Sequence, residues 1–257
     1  MKRILAFIYG ILSYVIFLAS FCYAIAFVGD FWVPKTINSG ATSALVPALL
    51  VNMALLGAFA IQHSGMARRG FKRWWTNIIP KPIERSTYVL ISSMILILLM
   101  WFWQPIPATV WSVESELGRW LLWGVAALGW LIVLVTTYLI SHAHLFGLQQ
   151  VYDFLQARDL WYPRFQTPGL YRYIRHPMML GFFLAFWATP EMTGGHLLFA
   201  VATSGYILVA LRFEEQDLIR VFGDQYRKYR KRVPMLLPGI KGRKAVSKNR
   251  NVKVPSE

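Results

Sequence analysis

A chain of 257 residues with 56% apolar, 16% aromatic and only 15% charged residues is too apolar for an ordinary soluble domain, where about 45–50% apolar and roughly 25% charged are usual. The net charge of +15 would suit a nucleic-acid binder, but 12 of the 27 basic residues follow Glu214 and most of the rest lie in two segments between apolar runs. That distribution belongs to cationic loops beside membrane spans, in contact with anionic lipid, and argues against nucleic acid as a partner.

Lys2 and Arg3 precede an apolar run over 4–28. It is longer than the roughly 7–15-residue core of a signal peptide and lacks a small-residue cleavage site, so it reads as a retained first helix. Cys22, the one cysteine, falls within it and reads as a buried apolar side chain; no intrachain disulfide can form. A loop with Asp30, Pro34 and Lys35 leads to a second span over 43–64, mildly interrupted by Pro47. A basic segment with Arg68, Arg69, Lys72, Arg73, Lys81 and Arg85 separates it from a third span over 86–103, which stops at Pro105 and Pro107. After Glu114 and Glu116, a fourth span over 118–146 is long for one crossing and projects into water at its C-terminal end.

The next apolar run, 178–189, has only 12 residues before Pro190-Glu191 and Gly194-Gly195, and a second arm follows over 196–213. The first arm would rise roughly 18 Å, short of a ~30 Å hydrocarbon core. Such a hairpin is tolerated in a membrane where it packs on protein or lines a cavity, which makes it a pointer to a binding site. Beyond it, Leu218, Phe222, Tyr226, Tyr229 and Val233 form an apolar stripe opposite a basic face, the pattern of an interfacial, lipid-adsorbed amphipathic helix. The expected fold is all-α: a polytopic bundle of five or six transmembrane helices, including a short intramembrane hairpin, with a C-terminal amphipathic helix. One domain covers 1–240, and 241–257 is a basic cytoplasmic tail. Counting positive loops places both termini in the cytoplasm, with only Lys35 and Arg119 on the other side, as for a bacterial inner-membrane protein.

Two polar clusters interrupt this apolar chain. In Gly169-Leu-Tyr-Arg-Tyr-Ile-Arg-His-Pro-Met-Met-Leu-Gly181, Pro177 suits the first position of a helix, which sets His176 and the amides after it at a helix N-terminus. Gly181, one turn on, would let a flat group approach the backbone. Tyr and Arg at such a place also serve as plain interfacial anchors. In Arg212-Phe-Glu-Glu-Gln-Asp217, adjacent carboxylates end an apolar run, where they must be paired or exposed to water. His142 and His144 diverge by about 200° on a helix, and no His pair has the i, i+4 spacing of a zinc site, so no metal is expected.

Together, Tyr173-Ile-Arg-His-Pro-Met-Met-Leu-Gly181, the short hairpin, Glu214-Glu215, Phe222-Gly223, Tyr226, Tyr229 and Arg232-Val-Pro-Met-Leu-Leu-Pro238 resemble the C-terminal signature of the isoprenylcysteine carboxyl methyltransferases and related phospholipid methyltransferases. The resemblance covers about 168–240. It implies S-adenosylmethionine as cofactor, held by His176, Pro177, Leu180, Gly181 and Glu214, with Tyr173 and Glu215 beside them. A carboxylate suits the cofactor's ammonium, helix N-terminal amides suit its carboxylate, and an apolar hairpin shields the sulfonium. Prenylcysteine enzymes tend to carry Arg one turn before the first Glu; here Ala210 stands there and Arg212 points elsewhere, which disfavours a carboxylate acceptor.

The longer N-terminal half, with Gln62-His63-Ser64 and Ser141-His142-Ala143-His144 ending spans and Gln149-Gln150 following, is similar to bacterial methanethiol S-methyltransferases, and also to membrane proteins tied to nitrogen-oxide metabolism. The first likeness implies a small thiol substrate methylated to a thioether. Transfer to sulfur wants a thiolate close to the methyl carbon in a tight apolar site. A base would help: His63 ranks first, then His144, with Tyr173 as an orienting hydroxyl, although a histidine at a span's end is more often a packing residue. Methyl transfer to a lipid amine or prenylcysteine carboxylate, and a non-catalytic binding or transport role, stay open, as does the oligomeric state.

Overall fold

The computed structural model describes residues 1–159 and 164–237; the tail expected over 241–257, the site-signature residue Pro238 and residues 160–163 lie outside them. In chain order the elements are α1 (Lys2–Gly29), α2 (Leu45–Ala67), α3 (Arg69–Trp75), α4 (Lys81–Phe102), β1 (Thr109–Ser112), α5 (Glu116–Leu139), α6 (His142–Leu145), α7 (Leu148–Leu155), a 3₁₀ turn (Gly169–Arg172), α8 (Pro177–Trp187), β2 (Glu191–Thr193), α9 (Gly194–Phe222) and α10 (Asp224–Arg232). Among the described residues, α1, α2, α4, α5 and α9 are long and apolar enough to cross a bilayer. The chain is a polytopic helical membrane protein with a small two-stranded ribbon.

Helix ends follow the local chemistry. Pro47 lies in the first turn of α2, where a proline costs no intrahelical bond, so it does not interrupt the helix. The expected fourth span breaks earlier than 146. Thr136 and Thr137 turn their hydroxyls back onto carbonyls of α5, and Ser141 takes a left-handed conformation at φ 88°. The chain then crosses the bundle's end as α6 and α7. Conversely, α9 continues past 213 to Phe222, its carboxylates paired rather than terminating the helix, and stops at Gly223, φ 54°. Cys22 faces outward rather than inward.

Two ends of the bundle are distinguishable. One, the basic end, gathers the start of α1, α3, α6, α7 and α10. Tyr9 Oη donates to Thr87 Oγ1, and Arg85 Nε to the Leu145 carbonyl. At the other, the ribbon end, β1 pairs antiparallel with β2, Asn52 clamps Gln104 with two hydrogen bonds, and Thr193 Oγ1 donates to Asn38. The main core lies in this half, around Phe27, Leu99, Trp103, Phe186 and Phe199.

The short arm is confirmed as α8, whose 11 residues rise roughly 16 Å. The rest of the distance is covered by extended chain. After Ala188 the segment runs into β2, and its turn is tied to the loop after α4 by Gly194 N–H to Ala108 and Gly195 N–H to Ile106. The hairpin therefore reaches the same end of the bundle as α1 and α4. Its non-helical part engages main-chain groups through the β1–β2 pairing and through Val113 N–H to the Pro190 carbonyl, as a low-dielectric setting favours. α8 lies along α5 through small residues, with Gly129 facing Gly181 and Ala185.

Candidate functional site

Pro177 opens α8 and His176 precedes it with φ −128° and ψ 62°, as its N-terminal position requires. Both are buried. The turn before them is fastened to the chain after α10: Arg175 N–H donates to the Pro234 carbonyl (2.9 Å) and His176 N–H to that of Met235 (3.1 Å). α9 brings Glu214 and Glu215 to the same place. His176 Nε2 lies 3.2 Å from Glu215 Oε1, and its Nδ1 lies 3.7 Å from Glu214 Oε2. The two motifs that flank the hairpin in sequence thus meet on one imidazole.

Adjacent helical residues point about 100° apart, and the two carboxylates sit in different surroundings. The Glu215 side chain is 10% exposed. Arg175 Nε donates to its Oε1 at 2.6 Å, the Tyr226 hydroxyl at 3.4 Å, and Arg230 Nη1 lies 3.8 Å from Oε2. The Glu214 side chain is 50% exposed, with the His176 ring nitrogen 3.7 Å away. Beside it, burial and then the Glu214 charge push the Tyr171 phenol above its ordinary value. Burial, followed by the Glu215 charge, does the same to Tyr226.

Other sequence-derived positions are placed as follows. Leu180 is half-buried on α8. The close approach that Gly181 permits is taken by α5: a β-carbon there would lie 2.7 Å from the Gly129 carbonyl oxygen and 2.9 Å from a Val133 methyl. The flat group the sequence suggested beside Gly181 is thus a neighbouring helix. The amides of Met179 and Leu180 already donate to the His176 carbonyl, which leaves Met178 as the first-turn donor without a carbonyl partner among the described residues. Tyr173 is 65% exposed at the end of the 3₁₀ turn.

His63 lies deeper. Ser64, next to it, bonds Tyr206 at 3.0 Å, and Tyr206 precedes Glu214 by eight residues, about 12 Å along α9. The ring stacks on Phe59, with the Tyr88 hydroxyl 3.0 Å from Nε2 and Ser92 Oγ 3.4 Å from Nδ1. The Arg85 guanidinium covers the Tyr88 ring at 4.8 Å. Gln62 Nε2 donates to Ser92, while Gln62 Oε1 is a buried acceptor with no partner among the described residues. His144 is on α6 between α5 and α7, and its carbonyl accepts from Gln150 Nε2; the carbonyl of the next residue, Leu145, accepts from the Arg85 that covers Tyr88. Its neighbour His142 is held between Tyr14 and Thr137, both at 2.8 Å, and burial lowers its affinity for a proton. Among the described residues no group of three or more His, Cys, Asp or Glu is arranged to hold a metal ion.

Arg175, Tyr226, Tyr88 and Ser92 were missed as site residues by motif reading. For Arg175 a signal existed: a carboxylate ending an apolar run needs a cation, and Arg175 adjoins the one histidine of the motif. Tyr226 was absorbed into the apolar stripe because its ring does obey that spacing. The stripe packs together and on the protein's own Phe165 and Ile219.

A family model described as "Phospholipid methyltransferase" matches residues 120–225, which include most of α5, all of α8 and α9, and both carboxylates. Over 93% of the chain, it is 55% identical to a methanethiol S-methyltransferase of Mycobacterium tuberculosis, covering 98% of that protein. It is 48% identical to one of Crocosphaera subtropica, over 93% of the chain and 94% of that protein. Nurim of Xenopus laevis is 30% identical over 65% of the chain and 61% of its own length. No solved structure matches.

Proposed function

Because the chain belongs to the methanethiol S-methyltransferase family of membrane methyltransferases, we propose that it moves a methyl group from S-adenosylmethionine to methanethiol, giving dimethyl sulfide. The observation that carries the cofactor site is the meeting of the His176 turn with Glu214 and Glu215. Glu214, half-exposed and only loosely engaged at 3.7 Å, is a carboxylate open to the cofactor's ammonium. The Met178 amide at the start of α8 suits the cofactor's carboxylate. Tyr173, Pro177 and Leu180 flank that position; Gly181 contributes through its contact with α5. When bound, S-adenosylmethionine supplies a sulfonium methyl open to in-line displacement.

The acceptor side is the deeper cluster. His63 takes the thiol proton at a ring nitrogen, so that the sulfur attacks as thiolate. Tyr88 and Ser92 hold the ring, and the unpartnered Gln62 Oε1 offers an acceptor to the thiol hydrogen. Half-buried Ala210, one turn before Glu214 on α9, puts no cation there for an acceptor carboxylate. His144 is the second candidate for the base. The basic end, with its Lys and Arg residues, faces the cytoplasm of a bacterial cell, where the cofactor is made. Detergent-purified protein tests the site. S-adenosylhomocysteine raises the melting temperature of wild type but not of His176→Ala or Glu214→Ala, and equal stabilisation of all three removes the assignment.

A further inference from the structure

The two adjacent glutamates are not equivalent, and the chain after α9 is not a passive surface helix. We infer that Glu215, Arg175 and Tyr226 are positioning residues that clasp the His176 turn to the segment 224–235, leaving Glu214 as the carboxylate that meets the cofactor. This rests on the cofactor reading above.

The clasp has three layers. In the first, Glu215 accepts from Arg175 at 2.6 Å and from Tyr226 at 3.4 Å, and lies 3.2 Å from His176 and 3.8 Å from Arg230. Its Oε1 is fully engaged and its surroundings are closed. Reaching a ligand ammonium would mean breaking a buried, charge-assisted pair, which is among the costlier changes available to a protein. In the second layer, Arg175 Nη1 bonds main chain at the end of α10 and just past it, the carbonyls of Arg230 (3.0 Å) and Val233 (2.5 Å). The third layer is backbone and phenol. The 175–176 amides pair with the Pro234 and Met235 carbonyls, and Tyr229 Oη donates to the Tyr171 carbonyl at 2.5 Å. Tyr226, Tyr229 and Val233 bury their side chains against Phe165, Leu218 and Phe222. Every layer ends on residues 171–176, the approach to α8.

The test uses full-length protein in nanodiscs, with binding of S-adenosylhomocysteine and of its deaminated analogue, which keeps the carboxylate but lacks the ammonium. Glu214→Gln weakens S-adenosylhomocysteine about tenfold and leaves the deaminated analogue unaffected. Glu215→Gln weakens both ligands about tenfold, and raises KM for the methyl donor while kcat at saturation stays within about threefold. A double-mutant cycle separates routes: Arg175→Gln with Glu215→Gln falls short of the sum of the two single defects, because the two residues share one pair. If the Glu215→Gln defect vanishes on the deaminated analogue, or adds to that of Arg175→Gln, Glu215 touches the ligand and the division of labour is wrong. If Glu215→Gln does not fold, Tyr226→Phe and Arg175→Lys carry the same comparison. Failure of the wild-type protein to bind S-adenosylhomocysteine at all overturns the cofactor reading instead.

Discussion

Gly129 of α5 and Gly181 of α8 meet backbone to backbone: a β-carbon on Gly129 would lie 2.6 Å from the Gly181 carbonyl oxygen and equally close to the Ala185 nitrogen. Neither of those atoms can move without moving α8, whose first residue fixes His176. Gly129→Ala and Gly181→Ala are therefore expected to cost about 1–3 kcal/mol as overpacking and to weaken S-adenosylhomocysteine binding. The neighbouring Gly124→Ala, where a β-carbon meets nothing, is the control. Melting curves and titrations check it; three indistinguishable variants would show that the helices part without consequence.

A second expectation concerns alkaline pH. Burial, then a neighbouring carboxylate, raises the phenols of Tyr171 and Tyr226 above their ordinary value. A group whose folded pKa exceeds its unfolded one stabilises the fold below the unfolded value, about 10 for a phenol, and that contribution is lost as pH rises through the folded value. The melting temperature should therefore fall above pH ~10, and less steeply in Tyr171→Phe/Tyr226→Phe. Other groups titrate there too, so the difference between the two slopes is the measurement, and parallel slopes would contradict the burial argument.

Residues 176 and 214 meet in space, and each was legible in the sequence through a local physical need: a proline at the start of a helix, a carboxylate at the end of an apolar run. The six apolar segments were legible for the same reason. The stop of α5 at Leu139 was not, because it depends on hydroxyls turning back on carbonyls and on Ser141 entering a left-handed conformation, which no apolar periodicity announces. Nor was the role of α10. Its stripe of Leu218, Phe222, Tyr226 and Tyr229 has the same spacing whether the partner is lipid or Phe165, and only the fold decides between them. Gly181 shows the limit from the other side: the sequence indicated a close approach and could not say by what.

The orientation of the chain gives a third expectation. Lys2, Arg3, the cations of α3 and those of α10 share one end of the bundle, so the N-terminus and α10 should both be accessible from the cytoplasm. Single cysteines at position 2 and at Gln225, in a Cys22→Ala background, would be probed with an impermeant thiol reagent on intact cells and on inverted vesicles. Labelling in intact cells at either position would reverse the arrangement and separate the cofactor site from its supply.

The last expectation concerns the base. The His63 ring is gripped on one face by Phe59 and at its edge by the Tyr88 hydroxyl, 3.0 Å from Nε2. Ser64, beside His63, bonds Tyr206 about two turns before Glu214 on α9, so the cluster stands deeper in the bundle than that carboxylate. Removing a working base costs about 10²–10⁴-fold in rate, so His63→Gln should lose that much activity with methanethiol while S-adenosylhomocysteine binds as before. Tyr88→Phe, which leaves the imidazole in place but unanchored, should lose less. A packing role for His63 could imitate the first result but not its dependence on the acceptor. A thiol of lower pKa arrives already ionised and has less need of a base. Across a series of small thiols of falling pKa, the His63→Gln defect should therefore shrink, whereas the same series with His144→Gln should show no trend. A defect of constant size along the series would leave His63 as a wall of the acceptor site and not its base, and a shrinking defect for His144 alone would move the base to α6.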